Sequence, residues 1–174
     1  MTELHFVEKG SDVVEGIYAI KTDGSDLTRV KAISTFEPVS WSPNGDRLAV
    51  QDGNGGILTF KSTDGSDEEQ VRTSGRDPVW SSDGLEIAFY DPNPRSGTPK
   101  IGVIASDGSG DVRTLADGQF PPWRPASRVA YVSDRDDDGD SEDANLYTVD
   151  SDGSDEKKIT DGDAEDLYPD WKPQ

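Results

Sequence analysis

Short alternating runs fill this chain, and no stretch carries a helical period. Glu86-Ile87-Ala88-Phe89 alternates with a period of two, as do Arg47-Leu48-Ala49-Val50 and Arg128-Val129-Ala130-Tyr131. That period marks half-buried strands. Each run is followed, across a loop of varying length, by a second strand: Ile57 to Phe60, Ile101 to Ile104, or Leu146 to Val149. A further strand follows, such as Gln70-Val71-Arg72-Thr73 or Val112-Arg113-Thr114-Leu115. Ahead of each group stands a short apolar run ending in tryptophan, as in Pro78-Val79-Trp80, joined to it by a turn such as Ser81-Ser82-Asp83-Gly84. The pattern predicts a unit of four strands.

The unit recurs four times. Asp-Gly-Ser appears at Asp23-Gly24-Ser25, Asp64-Gly65-Ser66, Asp107-Gly108-Ser109 and Asp152-Gly153-Ser154. Each triplet is followed by a proline and a tryptophan: Pro38 and Trp41, Pro78 and Trp80, Pro121 and Trp123, Pro169 and Trp171. Asp-Gly favours tight turns because glycine takes positive φ without a Cβ clash. A strand-only repeat of roughly 40 residues predicts an all-β propeller of four-stranded antiparallel blades, with the tryptophans in the core between blades. The repeats run approximately over 3–46, 47–85, 86–127 and 128–174, in one domain.

Trp41-Ser42-Pro43-Asn44-Gly45-Asp46-Arg47-Leu48-Ala49-Val50 and Val132-Ser133-Asp134-Arg135-Asp136 resemble the repeats of TolB-type propellers, relatives of WD-repeat proteins. The resemblance covers the whole chain. One unit departs from it, since Trp123-Arg124-Pro125-Ala126 lacks the turn glycine. Members carry six to eight blades, so four repeats raise the question of closure. The chain ends on Tyr168-Pro169-Asp170-Trp171, a first strand, and opens on Glu3-Leu4-His5-Phe6-Val7, a second strand. Pairing them completes one blade and covers a sheet edge. The pairing lies either within one chain, giving four blades, or between two chains that swap strands to give eight. The second is preferred, because four blades must splay widely and a two-fold pair leaves no free edge.

Charge narrows the function. Seventeen Lys and Arg against 36 Asp and Glu leave a net charge of −19, which argues against nucleic acid and anionic membranes as partners. Spread over all four units, the acids read as a solvating surface suited to high salt, the mark of a halophilic protein. No cysteine is present, hence no disulfide, thiolate metal site or cysteine nucleophile. Met1 to Gly10 has no basic or apolar segment and no run approaches a membrane span, so the chain reads as soluble. It is cytoplasmic if that start is native, extracytoplasmic if a leader was removed.

Blade turns alternate between two rims. One rim carries the nearly uniform turns; the other carries loops that vary, 8–16, 51–56, 90–100 and 133–145. Variation confined to one rim is read as a binding face, set against simple drift. Its candidate partner-binding residues are Phe36, Glu37, Asp77, Asp91, Phe120, Asp166 and Tyr168. In the fourth loop, Asp134-Arg135-Asp136-Asp137-Asp138-Gly139-Asp140-Ser141-Glu142 alternates carboxylates around a glycine, as a hard cation needing six to eight oxygens requires. The loop is similar to the hairpin-loop calcium sites of integrin α-subunit propellers. The likeness implies Asp134, Asp136, Asp138 and Glu142 as side-chain ligands and Asp140 as a backbone ligand for Ca²⁺. A solvated acidic loop is the competing reading. It is not an EF-hand, since the twelfth position is Asn145.

Catalytic chemistry is thin. His5 is the lone histidine, no glycine-rich loop follows a strand into a helix, and paired carboxylates lack a supporting spacing. The expectation is a non-enzymatic scaffold that binds a protein or peptide through the variable rim, with a structural calcium loop, and that pairs with itself as a strand-swapped homodimer. The alternatives are a propeller module of a larger hydrolase or lyase, and a carbohydrate-binding propeller.

Overall fold

The computed structural model describes residues 3–8, 15–34, 39–92, 98–124, 128–134, 144–161, 166–167 and 169, without the side chains of 3–8 and of Arg124. The described residues form strands and turns, with no helix among them. The first sheet has three strands, β1 (Glu3–Glu8), β2 (Gly16–Lys21) and β3 (Thr28–Lys31), in that order. The second comprises β4 (Ser40–Trp41), β5 (Arg47–Gln51), β6 (Ile57–Lys61) and β7 (Glu69–Arg72). The third comprises β8 (Arg76–Trp80), β9 (Glu86–Asp91), β10 (Lys100–Ala105) and β11 (Arg113–Asp117). The fourth comprises β12 (Trp123–Arg124), β13 (Arg128–Ser133), β14 (Asn145–Asp150) and β15 (Lys157–Lys158). Every pairing is antiparallel between neighbours in sequence.

Strand alternation divides the second and third sheets between two cores each. In β5, Leu48 and Val50 pack with Ile17, Ala19 and Val30 of the first sheet, while Ala49 faces the third sheet beside Trp80 and Ile87. In β9, Ile87 and Phe89 face back, and Ala88 faces the fourth sheet with Val129 and Tyr131. Alanine at the central position lets the next sheet approach closely, while larger neighbours fill the gap behind. Tyr131 and Tyr147 stack across β13 and β14 with centroids 5.5 Å apart. On the far face of that sheet, Ala130, Val132 and Thr148 are buried as well. Burial on both faces of small sheets is what allows so charged a chain to fold.

One expectation fails. Trp80 and Trp123 are buried between sheets, but Trp41 is 38% exposed. Its strand neighbour Leu48 pairs with Phe60, whereas the matching pairs elsewhere are Ile87 with Ile104 and Val129 with Val149. Phe60 is fully buried in the first interface, with Lys31 Nζ 5.4 Å from its ring centroid. Among the described residues the first interface buries this phenylalanine and no tryptophan, whereas the other two bury Trp80 and Trp123. Trp171, and with it the pairing expected to complete the first sheet, lies outside the described residues.

Candidate functional site

The turns of the uniform rim repeat one set of bonds. Each Asp-Gly-Ser aspartate accepts the serine backbone N–H two residues on, at 2.9 Å for Asp23 and Asp64 and 2.8 Å for Asp107 and Asp152. These serine bonds hold all four carboxyls below the usual aspartate value. The next residue takes positive φ in every copy: Asp26 at 56°, Asp67 at 49°, Gly110 at 76° and Asp155 at 48°. A cation neighbours each aspartate of this set: Lys21 pairs with Asp26, Lys61 with Asp67 and Arg128 with Asp155. The turns after the tryptophan strands repeat a second device. Ser42 Oγ donates to Asn44 at 2.8 Å and accepts the Arg47 N–H at 2.9 Å; Ser81 does the same with Asp83 and Glu86 at 2.7 and 2.9 Å. The polar groups of these turns bond within the turns and to neighbouring strands, as where Lys31 donates to Gly65 O at 2.9 Å and Arg113 to Ser151 O at 2.7 Å.

The opposite rim differs from unit to unit. In the second sheet the loop is a tight Asp52–Gly56 hairpin, with Asp52 Oδ1 accepting the Asn54 and Gly56 N–H groups at 2.8 Å each. Between the third and fourth sheets the rim opens into a cleft of about 120 Å³ lined by Pro99, Asp117, Gln119, Ser133, Asp134 and Leu167, among others. Its floor is stitched by backbone: Gln119 N–H donates to Val132 O at 2.9 Å and Val132 N–H returns to Gln119 O at 3.0 Å. Gly118 is required there, since a Cβ would stand 2.5 Å from both the Tyr131 ring and Val132 O. Asp166 N–H donates to Ala144 O at 2.8 Å, tying the connection that carries exposed Leu167 to the far wall.

The sequence-predicted rim residues fall in several settings. Asp134 is exposed at the cleft, with Asp117 on the same lining and ion-paired to Lys100. Asp77 and Phe120 are half-buried and hold φ of 48° and 54°. Each precedes a proline, which disfavours the helical region for the residue before it, so positive φ here is strained backbone on the variable rim. Asp91 is largely buried and paired with Arg72. Asp166 is half-buried beside the cleft. Phe36, Glu37 and Tyr168 lie outside the described residues, as do Asp136, Asp138, Asp140 and Glu142 of the acidic loop. Among the described residues no three acidic or histidine side chains gather as a metal site. Asp117, Gln119 and Leu167 escaped the sequence reading; only their place between a fourth strand and the next proline marks them.

No protein-family model matches the chain, and no curated protein sequence does. Solved structures do. A TolB from Agrobacterium tumefaciens matches 90% of this chain over 60% of its own length, at 24% identity and TM-score 0.69. TolB from Acinetobacter baumannii matches 94% over 41% of its length, at 17% identity and TM-score 0.72. A chain of a nidogen–laminin complex matches 94% over 62% of its length, at 16% identity and TM-score 0.67. The fold is that of a TolB-type β-propeller. The chain spans about half the length of the structures it resembles. Among the described residues, no helix is long and apolar enough to cross a membrane.

Proposed function

We propose that this chain is a non-enzymatic binding propeller whose variable rim takes a protein or peptide partner. The observation that carries the reading is the contrast between rims. One repeats the same turn bonds, while the other holds a cleft bounded by exposed Leu167 and Asp134, near left-handed Phe120. An apolar wall beside carboxylates suits a peptide with one aliphatic anchor. A propeller chain seen with a protein partner, the nidogen–laminin complex, is among its structural likenesses.

The acidic loop belongs to the same proposal as a structural calcium site that fixes the fourth-sheet side of the cleft. Its support is the order of carboxylates from Asp134 to Glu142. Pairing of two copies into an eight-bladed ring belongs to the proposal as well. Nearly the whole chain superposes on substantially longer propeller chains, which supports sheets set on the curvature of a ring with more than four blades.

The test is peptide selection against the full chain with two surface variants. Peptides enriched on the wild type should lose binding to Leu167→Asp and keep it to Leu85→Asp, on the uniform rim. Binding that ignores Leu167→Asp, or no enrichment at all, overturns the proposal.

A further inference from the structure

The three junctions between consecutive sheets share their parts. The earlier sheet presents the bulge residue of its outer strand: Val30 of β3 and Val71 of β7 are buried in the first and second junctions, and Leu115 of β11 packs against the third. The later sheet presents Phe60, Ile104 or Val149 to the same cluster, each paired across its own sheet with Leu48, Ile87 or Val129. The later sheet's Asp-Gly-Ser turn then lands on the earlier outer strand. A Cβ at Gly65 would stand 2.4 Å from Val30 O, and one at Gly108 would stand 3.1 Å from Val71 O. Beyond the first of these turns Glu68 reaches back to Lys31 at 2.7 Å. At the third junction the turn stands off, and Arg113 bridges to Ser151 O.

Both halves of a fourth junction are present and unmet. Ile159, just past β15, holds the bulge position of the fourth sheet, since its N–H and that of Thr160 both reach Leu146 O, at 2.8 and 3.4 Å. It is nevertheless 53% exposed, against 6% for Val30 and 5% for Val71. In the first sheet Ile20, paired with Leu4, holds the position of Phe60, Ile104 and Val149, and it is half-buried. Among the described residues no atom lies within 4 Å of a Cβ built at Gly24. Leu27 stands where Glu68 stands and is 55% exposed, while Thr160 stands where Lys31 stands. The ion pair of the first junction is thus replaced by Leu27, Ile159 and Thr160, an uncharged set that salt does not screen. The two faces match one another and lie at opposite ends of one chain. Two copies turned half-way round a common axis satisfy both faces at once, whereas an unrelated partner would have to imitate a whole blade with its turn.

We propose that the outer strand of the fourth sheet, at Ile159, seats the Gly24 turn and Leu27 of a second copy, in an apolar junction made twice around the shared ring. This junction rests on the eight-bladed pairing proposed above and supplies its contact. The chain has no cysteine, so introduced thiols report alone. Leu27→Cys and Ile159→Cys, placed on separate chains and co-expressed, should be joined by a short bifunctional thiol reagent into a species of two chains. Leu85→Cys, exposed on the uniform rim of the third sheet, should not join to Ile159→Cys. Leu27→Glu should weaken association about tenfold on dilution. Adding Thr160→Lys, which rebuilds the Lys31–Glu68 pair at this junction, should restore most of that loss. A wild type with the mass of one chain overturns the shared ring and this junction together. A two-chain mass with no crosslink above the Leu85 control, or with association indifferent to Leu27→Glu, overturns the junction alone. So does a crosslink that forms only when one chain carries both cysteines, because the chain then closes on itself.

Discussion

The Arg72 guanidinium donates to the Asp91 carboxylate of the following sheet at 2.9 Å and lies 4.8 Å from the Phe89 ring centroid. Both side chains are mostly buried, at 23% and 16% exposure, so the pair is screened less than a surface bridge. It couples the outer strand of one blade to the second strand of the next, at the variable rim. Arg72→Ala removes the charge pair, the cation–π contact and the packing of the aliphatic stem. The expected loss is about 1–3 kcal/mol in urea unfolding. Arg72→Lys keeps the charge but not the flat face, and should fall between the two. A neutral Arg72→Ala would mean the blades are coupled by their apolar faces alone.

That pair shows where sequence reading stops. Asp91 is an acid at a strand end, and pattern alone assigns it to a binding rim; its partner comes from another repeat, 19 residues away. The strands were legible because each buries alternate residues and ends on a turn with its own chemistry. The positive φ of the Asp-Gly glycines was legible too, but the second left-handed position, held by Asp26, Asp67, Gly110 and Asp155, was not. Exposure of Trp41 was not, since its unit carries the same proline and tryptophan as the others. Positive φ at Asp77 and Phe120 runs against the preference of a residue before proline. The cleft brings together 99, 117, 134 and 167, and no spacing rule joins those positions.

The four turn aspartates give a signed pH dependence. Their serine bonds lower the folded-state values of Asp23, Asp64, Asp107 and Asp152 below the ordinary 3.8. A lowered folded value means the unfolded chain binds the proton first. Their contribution is therefore full above pH 3.8 and disappears as pH falls below it through the folded values. Replacing all four by Asn keeps an acceptor oxygen for each serine and removes the titration. Unfolding free energies at about pH 5 and pH 3 should lie closer together in that variant than in the wild type, with Asp83 left to titrate in both. An unchanged slope would place the acid sensitivity elsewhere.

Salt should stabilise this fold. Screening weakens ion pairs such as Lys31 with Glu68, but acids outnumber bases 36 to 17, so the net repulsion it relieves outweighs the attraction it removes. The Debye length falls from about 10 Å at 0.1 M to about 3 Å at 1 M. The melting temperature should climb over that interval and flatten above it, equally for sodium and potassium chloride. A fall with salt would show that paired charges outweigh the unpaired excess.

Calcium should act beyond screening. With ionic strength held at the value where the salt effect has flattened, calcium in excess over its dissociation constant should raise the melting temperature further and saturate. Asp136→Asn with Asp138→Asn should abolish that increment and leave the sodium chloride response unchanged. An increment that survives the double variant places the cation outside the acidic loop.

The number of blades sets what the rim can present. A ring shared by two copies doubles the variable loops on one face and leaves a wide axis; a ring closed within one chain leaves little room along it. Static light scattering in high salt separates these. The shared ring predicts a mass twice the chain's 18.9 kDa that persists on dilution, because each subunit completes a sheet of the other. Unfolding of such a pair depends on protein concentration, with midpoints that rise as the chain is concentrated. A mass of one chain with concentration-independent melting would overturn the shared ring and confine partner binding to the cleft of a single copy.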